Sequence, residues 1–165
     1  MTSPEPCNHT SVGVLVVRDG RLLLIERARP PYAWAPPAGH VDDGETSEQA
    51  AARELQEEVG LTASRLTLVH RGPYRNQCRR PGGDRHHWEV FTADAEGDPV
   101  RSETETSSLR WVTPGELAQL RAISRAHLVA GASVERWREQ PGLEPVWMRM
   151  LMAIGLSMAI GGEWW

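Results

Sequence analysis

Three glutamates in the segment RELQEEVG stand at helical spacing: Glu54, Glu57 and Glu58 occupy positions i, i+3 and i+4. At about 100° per residue, an α-helix brings such positions to one face, here close to Gly60, where the helix is expected to end. Their mutual repulsion costs about 0.2–0.5 kcal/mol per pair, and anions in a last turn also oppose the helix dipole. A divalent cation would remove this conflict, because Mg²⁺ prefers oxygen ligands. A solvated acidic face is the alternative interpretation.

Residues upstream extend the three glutamates into a longer motif, GHVDDGETSEQAAARELQEEVGL, which runs from Gly39 to Leu61. This stretch resembles the Nudix box, the signature of the Nudix hydrolase family, and it satisfies every position of that motif. The specified positions are Gly39, Glu45, Arg53, Glu54, Leu55, Glu57, Glu58, Gly60 and Leu61. A match at this many positions is far more specific than a lone glycine-rich triplet.

The resemblance implies an α/β fold, a Nudix-type α/β/α sandwich with a mixed β-sheet, in which the box forms a loop, a helix and a second loop. It also implies Mg²⁺- or Mn²⁺-dependent hydrolysis of a pyrophosphate bond in a nucleoside diphosphate linked to another moiety. By position, Glu54, Glu57 and Glu58 would be metal ligands. Arg53 would hold the glutamates in orientation, and Glu45 would brace the loop against the helix.

Residues at the ends of the box and beyond it complete the implied site. Gly39 and Gly60 would supply backbone freedom at the turns. Family members often carry a further metal ligand or base shortly before a W-V strand, and ETSSLRWV places Glu105 there, with Glu103 as the near alternative. The expected metal ligands are thus Glu54, Glu57, Glu58 and Glu105, and the expected catalytic residues are Glu54, Glu57, Arg53 and Glu105.

The substrate stays open between two classes. Pro37-Ala38 before Gly39 gives a PAG form that occurs among relatives acting on ADP-ribose and other nucleoside diphosphate sugars. Those relatives also tend to carry a proline about sixteen residues beyond the box, where this chain has Gln77. Nucleoside triphosphates, including damaged ones, are the alternative class.

Three further residues are candidates for substrate binding. In the loop RNQCRRPGGDR, Arg79 and Arg80 offer guanidinium forks that match phosphate oxygens, although the arginines of a solvated loop would look the same. Trp34 could stack on a base, but an aromatic residue beside a strand more often fills the core.

Local patterns predict an alternation of strands and helices. Asp19-Gly20 between two apolar runs favours a tight hairpin, and Thr46 with Gln49 forms a capping-box signature for the helix of the box. The apolar positions of that helix would seat it, leaving its glutamates facing outward. Strands are predicted at LTLVHRGPY, HHWEVFTAD and SLRWV, and a second helix is predicted to open at Thr113.

The C-terminal part is predicted to be helical, with segments at Ser124–Glu139 and Pro145–Leu156. We therefore expect a Nudix domain over residues 1–125 and a helical extension over residues 126–165. The extension would pack on the domain or form a dimer interface, and its tryptophans offer the apolar surface for either.

Composition bounds the remaining alternatives. The 165-residue chain carries a net charge of -4, which argues against a general nucleic-acid coat, and its start has no apolar signal-peptide core. We expect a cytoplasmic enzyme with a small nucleotide substrate, no nucleic-acid or membrane partner, and a possible homodimer.

Five residues are of types that bind zinc: Cys7, His9, Cys78, His86 and His87. No C-x-x-C pair joins them, so a zinc site is not predicted. Two other functions are the alternatives: a nucleotide-sensing domain without turnover, and an isomerase on a related scaffold.

Overall fold

The computed structural model describes residues 6–158, and within that range eight strands and four helices follow one another. The strands are β1 (Thr10–Leu15), β2 (Val17–Arg18), β3 (Arg21–Arg27), β4 (Trp34–Ala35), β5 (Ala38–His40), β6 (Thr62–Arg75), β7 (Arg85–Glu96) and β8 (Thr106–Val112). The helices are α1 (Ser47–Val59), α2 (Pro114–Ala130), α3 (Val134–Glu139) and α4 (Pro145–Met158).

The strands form two four-stranded sheets. The first has the order β5-β1-β7-β6 and is mixed, since β1 runs parallel to β7 and antiparallel to β5. In the second, β3 pairs with β2, β4 and β8, all antiparallel. The edge position of β6 is compatible with Pro73 in a long strand, because a proline has no N–H to donate and an edge strand pairs on one side only.

The predicted hairpin forms, but it joins shorter strands than the sequence suggested. Arg18 pairs with Arg21 across Asp19 and Gly20, whose φ values of 49° and 67° give the turn the required left-handed backbone. The first apolar run is divided between the two sheets, because β1 pairs with β5 and β7 whereas β2 pairs with β3.

Helices cover both faces of the sheets. Alternate residues of β3 belong to different core clusters: Leu22 and Leu24 pack with residues of α2 and α4, whereas Leu23 and Ile25 pack with residues of α1. This alternation is the period-2 pattern of a strand buried on both faces. The predicted α/β/α sandwich with a mixed sheet is therefore confirmed.

The C-terminal helices differ from the prediction in two respects. The segment predicted as one helix over Ser124–Glu139 is broken at Gly131, whose φ of 59° ends α2, and α3 begins after Ser133. The boundary placed at residue 125 falls inside α2, because that helix runs on to Ala130 without interruption.

The last helix belongs to the core of the protein. Trp147, Met150 and Ile154 of α4 are fully buried and pack with sheet residues in one cluster. Trp164 and Trp165, which were predicted to offer apolar surface, lie outside the described residues. Among residues 6–158, no helix is long and apolar enough to cross a membrane. A dimer interface in this region stays a prediction.

Candidate active site

The helix that carries the glutamates is fixed at both ends as its sequence predicts. The Thr46 hydroxyl accepts from the Gln49 N–H at 3.2 Å, and the Gln49 side chain accepts from the Thr46 N–H at 2.8 Å. At the other end Gly60 adopts φ 66°, and its N–H donates to the Gln56 carbonyl. The capping box and the glycine C-cap of α1 are thereby confirmed.

The glutamates do not all face outward, and in this respect the prediction was wrong. Glu54 and Glu58 are only 8% and 5% exposed, whereas the side chain of Glu57 is 57% exposed. The reason is the close approach of α1 to β5. A Cβ atom at Gly39 would collide with the Glu54 carboxylate, and the Ala38 N–H donates to Glu58 Oε2 at 2.8 Å.

Arg53 links the box loop to the helix, as the resemblance implied. Its Nε donates to Glu45 Oε1 at 2.7 Å, and its Nη1 donates to Glu54 Oε1 at 2.8 Å and to Glu57 Oε2 at 3.2 Å. Nη2 donates to the carbonyl of His40 at 2.9 Å. One guanidinium therefore orients two of the predicted metal ligands and holds the loop before the helix.

The electrostatics of the glutamates follow from these contacts. Burial raises the pKa of Glu58 well above its ordinary value, and the neighbouring Glu54 carboxylate adds to the rise. Burial also raises the pKa of Glu54, although Arg53 opposes the shift. The hydrogen bond from Arg53 lowers the pKa of Glu45 to about 2. Two buried carboxylates with raised pKa values are the groups that a cation would stabilise in their charged form.

Glu54, Glu57 and Glu58 line a cavity of about 380 Å³, which we call the acidic cavity. Glu105 lines this cavity, and its charge contributes to the raised pKa of Glu54 and of Glu58, whereas Glu103 is not among the lining residues. Arg79 and Arg80 lie on another part of the wall, where Arg80 pairs with Asp42 at 3.5 Å. The predicted box and loop residues thus meet around one cavity.

The structure places Trp34 away from this cavity. The side chain is 7% exposed and belongs to the cluster that packs with α2 and α4. The guanidinium carbon of Arg110 lies 4.4 Å from its ring centroid and covers one face. The candidate stacking role of Trp34 is therefore corrected, because core residues and Arg110 already pack against its ring.

Sequence reasoning missed several residues of the cavity wall. Arg27 and Arg29 at the end of β3 and just beyond it line the cavity, and so does Glu144, which is buried and has a raised pKa because of that burial. Arg27 Nη1 lies 4.0 Å from Glu144 Oε2. No motif joins positions so far apart in the chain.

A second cavity of about 450 Å³ adjoins the first. It has a partly aromatic wall that includes Tyr32 and Trp137, and it shares Asn76, Gln77 and Glu144 with the acidic cavity. The two cavities are therefore neighbours, a charged half and a more apolar half of one region of the surface.

The donor set of the acidic half fits a hard divalent cation. Carboxylates from α1 and from the residues before β8 border one cavity, and two of them are buried with no cationic side chain other than Arg53 within hydrogen-bonding distance among the described residues. Oxygen ligands of this kind suit Mg²⁺ or Mn²⁺, which keep open positions for water or phosphate.

Fold and site together define a class of hydrolase, and comparison with known proteins gives its family. A family model described as NUDIX domain matches residues 8–131. The chain belongs to the Nudix family, and it is a Nudix hydrolase, the class of enzyme acting on acid anhydrides that the box predicted.

Relatives and solved structures agree with this assignment. A MutT-like protein of Streptomyces ambofaciens is 36% identical over 118 residues, 72% of this chain and 71% of that protein. An RNA pyrophosphohydrolase of Erythrobacter litoralis is 33% identical over 125 residues, 65% of this chain and 76% of that protein. The crystal structure of a MutT NUDIX hydrolase from Burkholderia pseudomallei is 32% identical with a TM-score of 0.58, covering 65% of this chain and 84% of that one.

Proposed function

We propose that the protein hydrolyses a pyrophosphate bond in a nucleoside diphosphate linked to another moiety, with Mg²⁺ or Mn²⁺ as cofactor. The observation that carries the proposal is the meeting of Glu54, Glu57, Glu58 and Glu105 around one cavity, with Arg53 holding two of them. When bound, the ion would neutralise charge on phosphate oxygens and lower the pKa of a bound water.

The chain's own residues divide the remaining work. Glu54 and Glu58 are buried and held by hydrogen bonds from Arg53 and from the Ala38 N–H, so they act as fixed ligands. Glu57 and Glu105 lie at the exposed edge of the cavity, where water enters, and either can accept the proton of the attacking water. The arginines of the opposite wall would bind phosphate oxygens that are distant from the cleaved bond.

The adjoining cavity supplies a place for the rest of the substrate. A phosphate chain in the acidic half would direct the attached nucleoside towards the half that contains Tyr32 and Trp137. Both substrate classes, sugar-linked nucleoside diphosphates and nucleoside triphosphates, place a diphosphate next to a nucleoside in this way. A cytoplasmic location and a small-molecule substrate accompany the proposal.

The test is an assay of the full chain on ADP-ribose, nucleoside diphosphate sugars and nucleoside triphosphates, with Mg²⁺ or Mn²⁺, following release of monophosphate and pyrophosphate. We expect cleavage of at least one substrate at its pyrophosphate bond and a fall in kcat of about 10²–10⁴-fold in Glu57→Gln. Glu48→Gln, an exposed residue of the same helix outside the cavity, is the matched control. Tight nucleotide binding without turnover would instead support the sensing domain.

A further inference from the structure

Both cysteines of the chain and two of its six histidines converge beside the acidic cavity. The ligand atoms of Cys7, His40, Cys78 and His86 all lie within 4.8 Å of one another. They come from four separate parts of the fold: the segment before β1, the end of β5, the loop between β6 and β7, and the start of β7. We call these four residues the Cys/His cluster.

The distances within the Cys/His cluster are close to those between the corners of a zinc site. Zn–S bonds of about 2.3 Å and Zn–N bonds of about 2.0 Å at tetrahedral angles put two sulfurs about 3.8 Å apart and a sulfur and a nitrogen about 3.5 Å apart. The Cys7 and Cys78 sulfurs are 3.8 Å apart, and His40 Nε2 lies 3.6 Å from the first and 3.5 Å from the second. The Cys7 Sγ to His86 Nε2 distance, 3.0 Å, is shorter, and the two remaining pairs of ligand atoms lie within 4.8 Å.

The surroundings of His86 set its tautomer for metal binding. Asn76 Oδ1 lies 2.7 Å from His86 Nδ1, and it also accepts from Trp88 Nε1 at 3.2 Å. An amide oxygen only accepts, so His86 Nδ1 carries the proton and Nε2 presents its lone pair to the cluster. A ligating histidine is commonly oriented by such a hydrogen bond on its other nitrogen. His86 is fully buried, so this arrangement is not exposed to competing water.

Both sulfurs accept backbone hydrogen bonds, although burial raises the pKa of the Cys78 thiol. Each accepts a backbone N–H from the residue two positions later, Cys7 from His9 and Cys78 from Arg80, both at 3.3 Å. Both sulfurs also lie close to Gly83. A Cβ atom at that position would be 2.6 Å from Cys78 Sγ and 3.0 Å from Cys7 Sγ. Hydrogen bonds to sulfur favour its negative charge, which a metal ligand needs.

We propose that Cys7, His40, Cys78 and His86 bind one zinc ion as a structural Cys₂His₂ site, distinct from the carboxylate site for Mg²⁺ or Mn²⁺. Sulfur and imidazole ligands select zinc over magnesium, and four protein ligands leave no open position for chemistry. The ion ties the segment before β1 to the loop that carries Arg79 and Arg80. It also fixes His40, whose carbonyl is held by Arg53 and which lines the acidic cavity together with Cys78, so the zinc site braces one wall of that cavity.

The test begins with the zinc content of the full chain, purified under reducing conditions without chelator and dialysed against Mg²⁺. We expect about one equivalent of zinc per chain in native protein and in His87→Ala, and a loss of most of it in His86→Ala and Cys78→Ser. His87 adjoins His86 in the same strand but is exposed and outside the cluster, which makes it the matched control. Cobalt-substituted protein should have the visible bands of tetrahedral Co²⁺ with thiolate ligands.

Trypsin cleavage supplies a readout that does not depend on activity. Removal of zinc with a chelator should speed cleavage after Arg79, whereas the bond after Arg80 precedes Pro81 and resists trypsin. Added Zn²⁺ should restore protection at Arg79 in native protein but not in Cys78→Ser. Far-ultraviolet circular dichroism checks that the variants keep their fold. Native protein that neither contains zinc nor binds added Zn²⁺ after reduction would overturn the proposal, as would equal zinc content in His86→Ala and His87→Ala. A Cys7–Cys78 disulfide that persists while zinc binding is absent would also overturn it.

Discussion

The acidic cavity and the Cys/His cluster are neighbours, yet they are built in opposite ways. Three of the four predicted carboxylate ligands come from α1, within five consecutive residues, whereas the four members of the cluster come from four separate segments. The carboxylates open on a cavity of about 380 Å³, whereas the cluster would surround an ion with four protein ligands, of which His40 and Cys78 also line that cavity. An open oxygen site suits an exchangeable ion that meets substrate, and a closed sulfur and nitrogen site suits a permanent one.

The two regions meet at consecutive residues of β5. Gly39 lies against the Glu54 carboxylate, and His40 next to it belongs to the cluster. The same strand thus takes part in a site that is expected to do chemistry and in one that is expected to hold the chain together. Changes confined to the acidic cavity should therefore affect turnover. Changes confined to the Cys/His cluster should affect how firmly the chain around it is held.

Among the changes that test this comparison, the largest effect is expected from a single methyl group at Gly39. In Gly39→Ala the new Cβ would displace the Glu54 carboxylate, and a misplacement of about 1 Å costs about 10²-fold in rate, so kcat should fall by that order. Zinc content should stay native, because His40 keeps its backbone. Steady-state kinetics and metal analysis measure both.

A matched control for this change is Gly115→Ala. At Gly115 the nearest atom to an added Cβ is Thr113 Oγ1 at 3.9 Å, so the substitution meets open space. We expect its kcat to be native. A native kcat in Gly39→Ala as well would mean that the position of the Glu54 carboxylate does not govern turnover.

The contrast between the two regions also explains what the sequence revealed. The box residues are contiguous, and their helix is capped by Thr46 and Gly60, so local rules predicted the location of α1 and which carboxylates meet. The burial of Glu54 and Glu58 was missed, because it depends on the approach of β5, a contact between segments. A carboxylate stripe has the same spacing whether it faces solvent or a strand.

The Cys/His cluster lies beyond any local pattern. Cys7 and His40 are separated by 33 residues, and Cys7 and His86 by 79, with no repeated spacing between them. His40 was read only as part of the box, so one of the four ligands was never a candidate. The division at residue 125 stays a prediction, although α2 runs across it. The burial of α4 against the sheets depends on tertiary packing, which the local sequence around this helix does not show.

An effect of intermediate size is expected from pH. Because burial raises the folded pKa of Glu58 above its ordinary value of 4.5, the folded protein without Mg²⁺ holds that proton more tightly than the unfolded chain does. This contribution to stability is fully present below the ordinary pKa and is lost as pH rises through the raised one. Under the proposed function Mg²⁺ would bind the charged carboxylate, so its stabilising effect should grow as pH rises.

Thermal unfolding with and without Mg²⁺, at about pH 6 and about pH 8, measures this coupling. Because Mg²⁺ binding requires Glu58 to release its proton, the Mg²⁺-induced rise in Tm should be larger at the higher pH. Glu58→Gln should flatten the dependence, while Glu48→Gln should keep it. A rise in Tm that is equal at both pH values in native protein would argue against Glu58 as a ligand that loses its proton on binding.

The smallest effect is expected where the two regions cooperate, in the loop that carries Arg79 and Arg80. Arg80 already pairs with Asp42 at 3.5 Å, so binding a phosphate exchanges one anion for another and the net gain is modest. The double change of Arg79 and Arg80 to Ala should raise KM about tenfold, equivalent to about 1.4 kcal/mol, and leave kcat near native. The double change of Arg65 and Arg71 to Ala removes as much charge outside the cavity and should leave KM unchanged.

Zinc removal turns this prediction into a test of the link between the regions. If the cluster positions the loop, removing zinc from native protein should raise KM towards the level of the Arg79 and Arg80 double variant. The same treatment should then add little to the variant, because both changes act on one loop and their effects are not additive. Additive effects would mean that the cluster stabilises the fold without positioning the arginines, and that the neighbouring sites are energetically independent.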